Sequence, residues 1–133
     1  MSTVGQLMNS KPVTVGSSTT VKGAAKRMKD DQISSLLVKK GGKIVGIITD
    51  SDIVRRGIAG TKDLNKLTVH DIMTAPVATI ETVRTAQDAH DMMGDLGVRH
   101  LGVTRGGDIV GIISVRDLLV FYKRVSEPKI TQD

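Results

Sequence analysis

The chain has 133 residues, a formal charge of +5 at pH 7 and no cysteine, which excludes disulfides and thiolate-bound zinc or iron–sulfur clusters. The basic balance allows an anionic partner, although the only aromatic side chains, Phe121 and Tyr122, are too few for a surface that stacks single-stranded bases. No apolar run reaches membrane-spanning length and no signal-peptide pattern opens the chain, so we expect a soluble, cytoplasmic protein without a membrane partner.

The first half of the chain predicts a helical turn, a strand, a helix, a hairpin and a second helix. The turn ends at Met8, and Pro12 precedes a short extended step. Apolar residues at helical spacing predict a helix over 17–30, capped by the hydroxyls of 17–19. Two apolar runs, 33–39 and 43–49, flank Gly41-Gly42, which predicts a two-residue hairpin turn, and a helix follows over 51–58.

The second half repeats the first. Sliding the chain by 65 residues superposes Leu36–Asp52 on Leu101–Asp117 with 10 of 17 positions identical, which indicates an internal duplication. The same elements are therefore expected again, with a helix over 82–95, a hairpin at Gly106-Gly107 and a last helix over 115–125. His90 falls at the edge of the repeated helix stripe and is expected to be a partly buried structural histidine. We place the first repeat with its linker at 1–62, the second repeat at 63–125 and a tail at 126–133.

Both copies place a hydroxyl where the last hairpin strand ends and a carboxylate three residues later. These pairs are Thr49 with Asp52, and Ser114 with Asp117. The pattern is typical of a capping box, in which the two side chains bond the first backbone groups of a helix. The alternative is a ligand site, because a helix N-terminus offers free N–H groups and a positive dipole end to a phosphate, while the carboxylate can accept from ribose hydroxyls.

The strand ends GIITDSD and GIISVRD, together with GVRHLGV, resemble a tandem pair of CBS domains (a Bateman module) over about residues 4–125. The resemblance implies an α/β fold with two tandem β-α-β-β-α repeats packed through their sheets about a pseudo-two-fold axis. It also implies a regulatory module that binds an adenosine-containing ligand such as AMP, ADP, ATP or S-adenosylmethionine in the cleft between the repeats, with no cofactor required.

The resemblance also assigns roles to individual residues. Asp52 and Asp117 would hold ribose hydroxyls, and Thr49 and Ser114 would meet the phosphate. The other implied contacts are the backbone of Thr14 and Ala78 at the adenine edge, the side chains of Val15, Ile47, Ile80 and Ile112 on the faces of the ring, and Arg99 and His100 at phosphates.

The two copies differ in their charges. Ser34-Ser35 stands in the first copy where the second has Arg99-His100. An arginine, Arg116, directly precedes Asp117, whereas Ser51 directly precedes Asp52. Arg116 is either a phosphate contact that favours the Asp117 pocket or ordinary solvated surface. The two pockets are therefore expected to differ in affinity, without a residue that decides which binds first.

No nucleophile–base set and no metal-ligand spacing appears, so we predict no catalytic residue, no metal site and no enzyme activity. We expect a homodimer through the apolar helix faces that hold Ile53, Val54, Ile58 and 118–122, and a regulated partner of unknown identity. The alternative is a protein- or nucleic-acid-interaction subunit with degenerate ligand clefts, although the scarcity of aromatic side chains makes nucleic acid the weaker candidate.

Overall fold

The computed structural model describes residues 2–60 and 63–126 in two compact units. We call Lys11–Ala78 the N-unit, and the described residues of 1–10 and 79–133 the C-unit. Each unit is a mixed α/β body with one three-stranded sheet. In chain order the elements are α1 (Val4–Leu7), β1 (Thr14–Gly16), α2 (Val21–Asp31), β2 (Ser35–Lys40), β3 (Lys43–Thr49), α3 (Asp50–Asp52, continued by π-helical turns at Ile53–Ile58), α4 (Val69–Ile72), β4 (Thr79–Glu81), α5 (Ala86–Leu96), β5 (His100–Arg105), β6 (Asp108–Ser114) and α6 (Val115–Ser126).

The two sheets have the same topology. In the N-unit, β1 is parallel to β2, and β2 is antiparallel to β3; β4, β5 and β6 repeat this order in the C-unit. The parallel pair requires a crossover, which α2 and α5 supply. The predicted hairpin turns are confirmed: Gly41 and Gly42 have φ of 59° and 78°, and Gly106 and Gly107 have φ of 60° and 86°. Both central residues of such a turn need a positive φ, which glycine adopts without steric cost.

The compact units do not coincide with the sequence repeats, because the short helical turn that opens each repeat belongs to the unit formed mainly by the other repeat. The backbone N–H of Val4 in α1 donates to the Arg84 carbonyl of the C-unit at 2.7 Å. Likewise, Val69 in α4 donates to the Thr19 carbonyl of the N-unit at 2.8 Å. The predicted boundaries at 1–62 and 63–125 refer to the duplication. Of the folded units, the N-unit is the continuous segment Lys11–Ala78, whereas the C-unit combines residues from both ends of the chain.

The N-unit core lies between its sheet and its helices. Leu36, Val38 and Ile48 from the sheet are fully buried. Val21 and Ala24 of α2 are also fully buried, as the apolar spacing of that helix predicts. The remaining buried members of this cluster are Met28, Ile53, Val69 and Ile72.

Two strand glycines allow the short helical turns to approach the sheets. A Cβ at Gly46 would lie 2.9 Å from the Thr74 carbonyl oxygen, and one at Gly111 would lie 2.7 Å from the Asn9 carbonyl oxygen. Any larger residue would push the α4 or α1 segment away from its strand. This close approach brings Thr74 beside β3 and Asn9 beside β6.

Some local predictions were wrong. Thr20, rather than the hydroxyls of 17–19, caps α2, because its side chain accepts from the Gly23 N–H at 3.0 Å. The helix after β3 is only briefly α-helical before its π-helical turns. His90 is exposed, because it lies on the outer face of α5 rather than on the stripe that holds Ala86, Ala89 and Met93. Residues 127–133 of the expected tail lie outside the described residues. No helix within 2–60 or 63–126 is long and apolar enough to cross a membrane.

Candidate functional site

The N-unit junction between β3 and α3 holds Thr49 and Asp52 in a complete capping box. The Thr49 hydroxyl accepts from the Asp52 N–H at 3.2 Å, and Oδ2 of Asp52 accepts from the Thr49 N–H at 3.0 Å. A third residue, Thr74, donates its hydroxyl to Oδ1 of Asp52 at 3.2 Å. Asp52 is buried, at 8% exposure, with both of its oxygens in hydrogen bonds.

Sequence reasoning missed Thr74. Two backbone hydrogen bonds join it to Ile47: the Ile47 N–H donates to the Thr74 carbonyl at 3.0 Å, and the Thr74 N–H donates to the Ile47 carbonyl at 2.8 Å. This isolated bridge places the Thr74 hydroxyl beside Asp52, 22 residues away in sequence. The sequence feature that could have predicted this contact is Gly46, because a glycine inside a strand often marks the close approach of another backbone segment.

The C-unit junction between β6 and α6 holds Ser114 and Asp117 in the same way. The Asp117 N–H donates to the Ser114 hydroxyl at 3.2 Å, and Oδ2 of Asp117 accepts from the Ser114 N–H at 2.8 Å and from its hydroxyl at 3.0 Å. Among the described residues, Ser114 is the hydrogen-bond partner of this carboxylate. Asp117 is half-buried, so it is more accessible than Asp52. The two junctions share a motif, but their carboxylates differ in exposure and in the residues that donate hydrogen bonds to them.

The residues expected to surround an adenine ring divide between the two units. Thr14 and Val15 in β1 are half-buried, and Ile47 in β3 is 6% exposed. Ala78 ends the N-unit and is half-buried. In the C-unit, Ile80 and Ile112 are buried in β4 and β6.

The cationic residues singled out in the second repeat gather around the C-unit junction. His100 is the strand partner of Ser114 and is buried, at 9% exposure. The carbonyl of Arg99 accepts from the Val115 N–H at 2.9 Å, while Arg99 itself is exposed. Arg116 is exposed on the first turn of α6. The backbone thus ties 99–100 to the start of the helix that bears Asp117.

A cavity of about 230 Å³ lies beside this junction, between α1 and α6 of the C-unit. Asp117, Arg116 and Arg124 all line it, so one carboxylate and two guanidinium groups border the same space. The other lining residues are Gln6, Leu7, Val120 and Phe121.

Three aspartates away from the two junctions are held ionised by local hydrogen bonds. The Thr68 N–H, followed by its hydroxyl, lowers the pKa of Asp71. In the same way, the Thr85 N–H lowers the pKa of Asp88. A bond from His90, followed by one from Gln87, lowers the pKa of Asp91. These carboxylates therefore cap or brace helices.

Comparison with known proteins identifies the family. The model of the CBS domain matches twice, at residues 4–58 and 69–124. The chain belongs to the CBS-domain family. It is a tandem CBS pair, as the repeated strand ends predicted. This membership makes it a module of a kind known for regulatory ligand binding.

Relatives of this CBS pair cover nearly the whole chain. It is 36% identical over 117 residues to an uncharacterized 17.7 kDa protein of Acidianus ambivalens, covering 86% of this chain and 70% of that protein. A solved Burkholderia ambifaria protein with CBS domains has a TM-score of 0.90 and 29% identity, over 98% of this chain and 100% of that one. A hexameric CBS-CP12 protein from bloom-forming cyanobacteria has a TM-score of 0.84 and 28% identity, over 98% of this chain and 76% of that one.

Proposed function

We propose that this CBS pair is a non-enzymatic sensor of an adenosine-containing nucleotide, bound where each hairpin strand passes into the following helix. The observation that carries the proposal is the duplicated hydroxyl–carboxylate pair at a helix N-terminus, Thr49 with Asp52 and Ser114 with Asp117. A phosphate near such an N-terminus is stabilised by the positive end of the helix dipole. A carboxylate beside it accepts hydrogen bonds from the vicinal hydroxyls of a ribose.

The two junctions are not equivalent, and Asp117 is the better acceptor for a ligand. Asp52 is buried and already accepts from Thr49 and Thr74, so a ribose there must displace an existing bond. Asp117 is half-exposed and accepts from Ser114 through Oδ2, which leaves Oδ1 to face an incoming hydroxyl. Arg116 adds positive charge at the same helix end. We therefore infer that the C-unit junction fills first.

Regulation follows if the nucleotide binds one arrangement of the chain or its assembly better than another. The bound ligand then shifts the population toward that arrangement by no more than its difference in affinity. A protein partner that reads the arrangement would respond to nucleotide concentration without any chemical step. The family membership makes a small ligand of this kind the first candidate.

We also propose self-association through exposed apolar helix faces. Ile53 and Leu118 are buried, whereas Val54, Ile58 and Leu119 are 57%, 60% and 64% exposed. CBS-domain proteins often oligomerise, and the cyanobacterial CBS-CP12 neighbour is hexameric. Sedimentation should detect a dimer that Leu119→Glu weakens; a monomeric parent at every concentration would contradict this assignment.

Isothermal titration tests the nucleotide proposal. AMP, ADP, ATP, NADH, S-adenosylmethionine and adenosine are titrated into the parent, Asp117→Asn and Asp95→Asn. Asp95 is an exposed carboxylate near the end of α5, so Asp95→Asn removes the same charge away from the junction. We expect Asp117→Asn to weaken the best ligand about tenfold, as for the loss of a hydrogen bond to a charged group, and Asp95→Asn to leave it unchanged. Absence of binding by every adenosine compound would refute the proposal.

A second candidate is a subunit that docks on an acidic protein or a nucleic acid. The observation in its favour is the charge of α2, whose exposed Lys22, Lys26, Arg27 and Lys29 contrast with Asp88, Asp91 and Asp95 on the matching helix α5. Binding of this kind would weaken steeply with salt and would be lost when the α2 lysines are neutralised. An oligonucleotide included in the same titrations separates the two candidates.

A further inference from the structure

The positive charge of the chain is concentrated in the N-unit. Residues 11–78 contain 12 Lys and Arg and 6 Asp, which gives a formal charge of +6. Residues 1–10 and 79–133 contain 7 Lys and Arg and 8 Asp and Glu, which gives a formal charge of −1. The contrast is sharpest between α2 and α5, which occupy matching positions in the two repeats.

Helix α2 presents a row of lysines. Lys22, Lys26 and Lys29 are exposed and recur at the spacing of one side of a helix. Within the part of the chain that the structure describes, none of their ammonium groups forms an ion pair, whereas Arg27 is bound to Asp31 at 2.6 Å. The charge of this row is therefore directed at solvent.

Helix α5 carries the opposite charge at the matching place. Over Ala86–Leu96 it holds three aspartates, Asp88, Asp91 and Asp95, and no lysine or arginine. Asp91 and Asp95 are exposed and four residues apart, so they lie on the same side of the helix. Asp91 stands where α2 has Lys26 under the 65-residue shift of the repeat. One repeat thus presents cations where the other presents carboxylates.

Each charged row has an exposed apolar side chain on the neighbouring helix. In the C-unit, Tyr122 of α6 contacts α5: its hydroxyl donates to Oε1 of Gln87 at 3.5 Å, and its ring meets that of His90 edge-on. Leu119, three residues before Tyr122, therefore lies on the α5 side of α6, and it is 64% exposed. Val54 matches Leu119 in the repeat and is 57% exposed on the π-helical turns that contact α2.

These charges favour contact between unlike surfaces of two copies of the chain. We define the N-face by Lys22, Lys26, Lys29 and Val54, and the C-face by Asp91, Asp95 and Leu119. Two N-faces, or two C-faces, would bring like charges together, which disfavours that pairing. An N-face against a C-face places lysines opposite aspartates and removes two apolar side chains from water. The chain itself thus carries the surface that complements its N-face.

We propose that this chain self-associates head to tail, with the N-face of one copy docked on the C-face of a second copy. This inference rests on the proposed self-association through apolar helix faces and adds which faces meet. It is independent of the nucleotide proposal, because neither face contains a residue assigned to the ligand.

Sedimentation velocity of the full chain with reversed charges tests the proposal. The variants are Lys22→Glu/Lys26→Glu, Asp91→Lys/Asp95→Lys, and the combination of all four, which restores the formal charge of the parent. We expect each reversed pair to weaken self-association about tenfold, because its faces then carry charges of one sign. The combination exchanges the two signs and should return to within about twofold of the parent. All four side chains are exposed, so the variants are expected to fold, and circular dichroism verifies this.

A matched control separates the faces from net charge. Lys40→Glu/Lys43→Glu changes the formal charge by as much as the α2 variant does, but at the β2–β3 hairpin turn, where the two residues are strand partners. This control should associate like the parent. If it weakens association as much as Lys22→Glu/Lys26→Glu does, net charge is responsible and the proposal is wrong.

Salt provides a second measurement that needs no variant. Raising NaCl from about 50 to about 300 mM should weaken self-association of the parent several-fold, because it screens the attraction between unlike faces. Association that strengthens with salt would show like faces in contact, and it would overturn the head-to-tail arrangement while self-association stands. Reversed pairs that associate like the parent, or a combination that fails to recover, would overturn it in the same way. A parent that is monomeric at every concentration would overturn both.

Discussion

Replacing Asp52 with alanine should destabilise the protein more than replacing Asp117, although both residues close the same capping box. The Asp117 side chain bonds only Ser114 among the described residues, and loss of such a cap costs about 1 kcal/mol. The Asp52 side chain also accepts from the Thr74 hydroxyl in a buried position. A hydrogen bond to a charged group contributes about 1.5 kcal/mol or more, so Asp52→Ala should cost roughly 2–4 kcal/mol.

Urea unfolding followed by circular dichroism measures both losses, with Thr74→Val as the partner variant. Thr74→Val should cost about 1–2 kcal/mol in the parent and almost nothing in the Asp52→Ala background, because its bond is already gone. Equal losses for Asp52→Ala and Asp117→Ala would refute the reasoning. Additive losses in the Asp52 and Thr74 double variant would refute it as well.

Further predictions concern packing, capping and acid stability. Gly111→Ala should destabilise the protein by about 1–3 kcal/mol, because the new Cβ would lie 2.7 Å from a backbone carbonyl oxygen. Gly94→Ala should instead stabilise it by about 0.5–1 kcal/mol in the same urea assay, because a Cβ at this position on α5 meets open space. Arg56→Met should speed amide exchange at the end of α4 and cost about 1 kcal/mol, because it removes both bonds to the α4 carbonyls. Because the pKa values of Asp71 and Asp88 are lowered, these two carboxylates stabilise the fold above about pH 4, and the stabilisation is lost as the pH falls through the lowered pKa values. Carboxyl NMR titration should place both titration midpoints below the ordinary range for aspartate. Midpoints in the ordinary range would contradict the capping bonds.

The sequence was enough to predict the architecture because the duplication presents each signal twice. The Gly-Gly turns, the buried strand runs and the helix stripe of α2 each depend on neighbours close in sequence, and all three are confirmed. The CBS family followed from the strand ends that bear Asp52 and Asp117. Most of the fold could therefore be predicted from patterns among residues that are close in sequence.

What the sequence could not predict depends on contacts between distant segments. The packing of α1 and α4 with elements of the other sequence repeat leaves no periodic signal, because each is a single helical turn. Thr74 approaches Asp52 only through the bridge to Ile47, and the cavity depends on α1 lying beside α6. The difference between the two junctions therefore emerged only from the folded chain.

The most direct test of nucleotide sensing at these junctions is an amide NMR titration with AMP and ADP. We predict saturable shifts of the Ser114 and Asp117 amides at lower ligand concentration than those of Thr49 and Asp52. The hairpin-turn amides of Gly106 should stay in place. Saturation without movement of either junction, or no saturable shift at all, would contradict the account.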